Sequence, residues 1–236
     1  MLKQISVDNL PIKFVFCGVA SNLNDLIGSH ESVDRYIHAI ELEPLPYDSI
    51  KEIGIRIFEN FDLQLTNGQE WRITQIACGY PHFAHLICRE ILSLAYEQRF
   101  AGTMVSAGLY KKGIQRAAER AATGLQTAFE KATLKGSNKY VEVLWAVADG
   151  QHMEKQFKII YDDYESIMQS FKDRNRITES REFRNYLNSL CKESHGYALR
   201  RRNPGWYRFD DPMLRSYVRM IAHRDGANLG DESFRD

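Results

Sequence analysis

One buried-type strand with no companion is the feature that most limits how this chain folds. Residues Lys13 to Ala20 are β-branched, aromatic and apolar, without polar alternation. That is the pattern of a strand covered on both faces, as in a parallel sheet flanked by helices. Such a sheet needs several strands joined by crossover helices, yet no second run of this type follows. Ser21, Asn22, Asn24 and Asp25 close the run in a polar turn with helix-capping chemistry.

From Asp48 onward the apolar spacing is helical. Ser49 to Asn60 sets Ile50, Ile53, Ile57 and Phe58 on one face, behind Pro44 and Pro46 as helix-excluding punctuation. Trp71 to Cys78 predicts a short helix stopped by Gly79, and Pro81 opens the next through Phe83, Leu86, Ile87, Ile91 and Leu94. Leu109 to Leu134 is the most helix-favouring stretch, with Gly113 and Gly124 as candidate breaks. Gly136, Ser137 and Asn138 then mark a domain boundary.

The second half predicts helices at Tyr140 to Ala148, Tyr161 to Ser170 and Thr178 to Cys191, the last with Thr178 as N-cap. A hairpin comes next, with Tyr197 to Leu199 as one arm, Arg200 to Gly205 as tip, and Trp206 to Phe209 as return strand. Pro212 to Ala222 predicts a final helix, and Asp225 to Asp236 a polar, frayed tail. Three helices and a hairpin make a winged helix, a relative of the helix-turn-helix. The fold class expected is mainly α with minor β.

Lys+Arg and Asp+Glu number 31 each, so no global field draws the chain to nucleic acid or an anionic membrane, and any basic surface is local. Cys17, Cys78, Cys88 and Cys191 form no CxxC pair and sit within apolar patterns, which favours a reducing, cytoplasmic setting. The apolar run ending at Ala20 is too short to span a bilayer, so no membrane partner is expected.

In order along the chain, these segments resemble the C-terminal portion of an AAA+ ATPase of the initiator-like bacterial type. Lys13 to Asn22 resembles the strand carrying the sensor-1 polar residue. Arg35 to Pro46 looks like the passage from the arginine-finger helix into the lid, Gly79 to His85 is similar to the sensor-2 region, and Tyr140 to Leu214 resembles a winged helix. The resemblance implies a core remnant at residues 1–46, a helical lid at 47–135, a winged helix at 136–224 and a tail at 225–236. It further implies that Asn22 and Arg35 could complete a nucleotide site in trans, with His82, His85 and Arg89 beside it on the lid. Read without the resemblance, Asn22 is a helix cap, Arg35 a solvated residue, and the two histidines lack a third metal ligand. No metal is expected.

No G-x-x-x-x-G-K-[ST] loop occurs, and no apolar strand ends in Asp-Glu. The chain is therefore not expected to hydrolyse ATP alone. The resemblance makes it half of a truncated or split machine, with no cofactor in isolation and ATP and Mg if an N-terminal half is supplied. Lys172, Arg174, Arg176, Arg181 and Arg184 precede or lie in the third winged helix, while Arg200, Arg201, Arg202 and Arg208 lie in or beside the wing. Recognition helix in the groove and basic wing on phosphates is one division of labour. A solvated charged face diluted by Glu179, Glu182 and Glu193 is the other. Expected partners are double-stranded DNA, the N-terminal ATPase half, or further copies of the chain. The rival functions are a stand-alone winged-helix regulator and a protein-interaction module.

Overall fold

The computed structural model describes residues 42–134, 136–170, 177–227 and 229–230, together with residues 15 and 40. Two compact units divide the chain, Met1–Glu43 and Pro44–Asp236. Asn22, Arg35, Lys172, Arg174 and Arg176 lie outside the described residues, as does the predicted strand apart from residue 15. The second unit is mainly α with minor β.

Its first half holds α1 (Tyr47–Glu59), α2 (Asn67–Ala77), α3 (Pro81–Glu97), α4 (Ala107–Glu119) and α5 (Thr123–Ala132). Each start has a local cause. Pro46 cannot continue a helix backward, and Pro81 occupies the first turn of α3, where its missing N–H costs nothing. Thr66 and Gln69 make a reciprocal capping box at 3.2 and 2.9 Å, which starts α2 earlier than its apolar pattern does. The stretch 109–134 is two helices, broken over Arg120, Ala121 and Ala122, and Gly124 lies inside the first turn of α5 rather than at the break. Gly113 is no break: it sits inside α4, where an added Cβ would lie 2.3 Å from Ile91 Cγ1, so the glycine lets α3 and α4 approach closely. Burial pushes the Cys88 thiol of α3 up to about 12, the state of an inert core cysteine.

The second half runs α6 (Asn138–Ala148), β1 (Glu154–Gln156), α7 (Phe157–Gln169), α8 (Ser180–Leu190), a 3-10 turn (Glu193–His195), β2 (Leu199–Arg201) and β3 (Trp206–Phe209). The sheet is antiparallel in the order β1-β3-β2. Thr178 does not cap α8, whose N-cap is Glu179 with no side-chain bond. Thr178 is buried instead, where Lys139 and the Tyr164 hydroxyl donate to its Oγ1 at 3.0 and 3.2 Å. Competing partners from α6 and α7 win over the local cap. Arg200 and Arg201 are also not in the hairpin tip, because they are paired in β2.

α9 (Pro212–Arg224) returns from the sheet and ties the halves together. Arg215 and Arg219 are each only 3% exposed. The Arg219 guanidinium donates to Ala148 O at 2.8 Å, to Gln75 O and to Gly150 O. Arg215 donates to Ala148 O at 3.2 Å and to Gly150 O at 2.7 Å. Lys155, also buried, donates to Ala146 O at 2.6 Å and to Asp163 at 2.7 Å. The C-terminal carbonyls of α2 and α6, which have no partners within their own helices, are thus met by three cations at the negative ends of the helix dipoles. Burial pulls the Lys155 ammonium below its usual range and pushes the Asp163 carboxyl up, each opposed by the other's charge. Within the segment expected to fray, Asp225 and Gly226 are exposed, but Ala227 and Leu229 are buried and the Gly230 N–H donates to Asp149 Oδ1 at 2.6 Å. Side chains from α1 through Leu229 form one connected core.

Candidate nucleic-acid interface

α8 positions the central part of the candidate surface. Phe183, Leu187 and Leu190 recur at i, i+4 and i+7 and are fully buried, fixing the helix on the core. Arg181, Asn185 and Asn188 repeat the same spacing, offset by two residues, so they lie about 200° around the axis on the outermost stripe. Arg181 and Asn185 are exposed, and Asn188 is half-buried. The acids expected to dilute the helix are elsewhere: Glu179 is the N-cap, and Glu182 turns aside to accept the Tyr186 hydroxyl at 2.8 Å. That bond holds the Tyr186 phenol up at about 12. Arg184 stacks over the Phe157 ring at 3.8 Å, joining α8 to the start of α7.

The hairpin completes the surface, and strand alternation sorts its arginines. Residues directly opposite across a sheet share a face. Leu199 faces Phe209 and Arg201 faces Tyr207 on the inner side, while Arg200 and Arg208 stand opposite each other on the outer side. Arg200 is ion-paired there with Asp210, and Arg208 faces Glu154 of β1. Arg201 sits beside the Tyr207 hydroxyl and Cys191, at the C-terminal end of α8. Burial raises the Tyr207 phenol and the Cys191 thiol, and the Arg201 charge opposes both shifts. The Tyr207 hydroxyl donates to Asn188 Oδ1 at 3.1 Å. Arg202 and Asn203 form the exposed tip with Pro204 and Gly205, whose carbonyl accepts the Phe157 N–H at 2.8 Å.

Of the predicted DNA-contact residues, Arg181 and Arg184 lie on α8 and Arg201 at its C-terminal end, Arg202 stands at the exposed hairpin tip, and Arg200 and Arg208 lie on another face. The two amides, Asn185 and Asn188, escaped the sequence because only the helix phase separates them from buried neighbours.

The predicted nucleotide-proximal residues lie on α3. His82 and His85 are exposed, and His82 meets the Phe83 ring edge-on at 5.4 Å. Arg89 is committed to Glu90 at 3.1 Å; Glu90 is fully buried and also binds Arg116 at 3.1 Å and Arg120 at 3.0 Å. Arg116 in turn forks onto Glu97 with two 2.7 Å bonds, which hold the exposed Glu97 carboxyl below its usual range. This network joins α3 to α4. Among the described residues no group of three or more His, Cys, Asp or Glu is placed to hold a metal ion, and no helix is long and apolar enough to cross a membrane.

Comparison with protein-family models, with curated proteins and with solved structures finds no match to this chain.

Proposed function

We propose that residues 136–224 are a winged helix that binds double-stranded DNA, with α8 as recognition helix and the β2–β3 hairpin as wing. The helix–strand–helix–helix–strand–strand order and the β1-β3-β2 sheet support the architecture. The observation that carries the function is the outward stripe of α8, cationic and amide without an acid, with Arg201 at the C-terminal end of the helix and Arg202 at the exposed hairpin tip. Residues 47–135 are, on the same proposal, the lid of an AAA+-type ATPase subunit. Such a subunit assembles with an ATP- and Mg-binding half or with further copies, and Asn22 and Arg35 act in trans. These 236 residues contain no phosphate-binding loop, so the module positions DNA and does not hydrolyse ATP alone.

Fluorescence anisotropy with a labelled duplex tests this reading. Binding is expected at low salt, weakening with a log–log slope of roughly −3 to −4 for three or four phosphate contacts. Absence of binding even at low salt overturns it and leaves the face for a protein partner.

A further inference from the structure

The outermost stripe of α8 is richer in amides than phosphate binding requires. We propose that α8 reads base edges, with Asn185 and Asn188 selecting adenine-bearing base pairs in the major groove between phosphate contacts from Arg181 and Arg201. This inference rests on the duplex-binding reading above and adds sequence specificity to it.

A phosphate-only surface gains from charge, and a carboxamide contributes none. What a carboxamide offers is an acceptor and a donor in one plane, the match for adenine N6 and N7. Asn185 and Asn188 stand one turn apart in the middle of the stripe. α8 has 11 residues and is about 16 Å long, a length and width that enter a major groove. The second observation is the buried Tyr207 hydroxyl, which donates to Asn188 Oδ1 at 3.1 Å. That bond assigns Oδ1 as the acceptor toward Tyr207, with the NH2 still to donate and one Oδ1 lone pair open. It fixes the amide before DNA arrives, so less side-chain freedom is lost on binding. Arg184, stacked on Phe157, flanks the readers and does not crowd them.

Selection from a randomised duplex pool, followed by anisotropy on the enriched and scrambled sites, tests the proposal. The expected result is an enriched site with adenine at a defined position, bound about tenfold to a hundredfold more tightly than its substituted versions. Asn185→Ala should abolish the adenine preference at the position that Asn185 reads, and should weaken binding to scrambled duplex by a smaller factor than binding to the enriched site. Arg181→Ala should weaken every sequence by a similar factor. Tyr207→Phe, which frees the Asn188 amide, should lower the preference severalfold without changing the salt slope. Asn185 is exposed, so its variant is expected to fold, and its thermal melting curve checks this. Duplex binding with a flat selection, or a preference unchanged in Asn185→Ala, overturns base reading alone. Absence of binding to every duplex overturns the winged-helix reading with it.

Discussion

Replacing Arg215 and Arg219 together with alanine is expected to leave residues 44–230 without a stable fold, with a loss of more than about 5 kcal/mol. Each single replacement should cost only about 1–2 kcal/mol, so the pair should exceed the sum of the two. Two effects act in the same direction. Ala148 O and Gly150 O accept from both guanidinium groups, so either arginine alone keeps them satisfied, and only the double variant orphans them. Burial, and then the like charge of Arg219, pull the Arg215 pKa down to about 10. Removing one cation therefore relieves the other, which lowers the single-variant cost further. Urea denaturation of the two single variants, with circular dichroism of the double, checks the expectation; strictly additive, small losses would contradict it.

Arg181→Ala/Arg201→Ala/Arg202→Ala is expected to weaken duplex binding by about 10²–10³-fold, at roughly 1–1.5 kcal/mol per lost phosphate contact. Arg200→Ala should change affinity by less than about threefold, because Arg200 faces Asp210 on the opposite side of the sheet. The contrast between neighbours in the chain is the informative part. A surface that attracted DNA by local charge density alone would treat Arg200 and Arg201 alike. All four side chains are exposed, so melting temperatures should stay close to that of the parent chain.

How much of the fold is legible in the sequence depends on the range of the interactions involved. α1, α3, α6 and α9 are legible because proline punctuation and apolar spacing act within a few residues. β1 is hidden: Glu154, Lys155 and Gln156 carry no apolar alternation, and they become a strand only by pairing with β3. Lys155 is inside for a reason no window contains, since its acceptors include the end of α6 and Asp163 of α7. Arg215 and Arg219 look like the solvated side of an amphipathic helix until the ends of α2 and α6 arrive beside them. Gly113 reads as a helix breaker, yet it serves the approach of α3 to α4. At the candidate interface, consecutive arginines suggest one cluster, and the period of the strand divides it. Asn22 and Arg35 lie outside the described residues.

The most direct measurement of the central claim is amide chemical-shift mapping of the isotope-labelled chain titrated with a duplex. The largest perturbations are expected on residues 180–191 and 199–206, with Arg181, Asn185 and Arg202 prominent and α1 to α4 quiet. Perturbations confined to the α3–α4 face around Arg89, or none at saturating duplex and low salt, would contradict duplex binding through α8 and the wing.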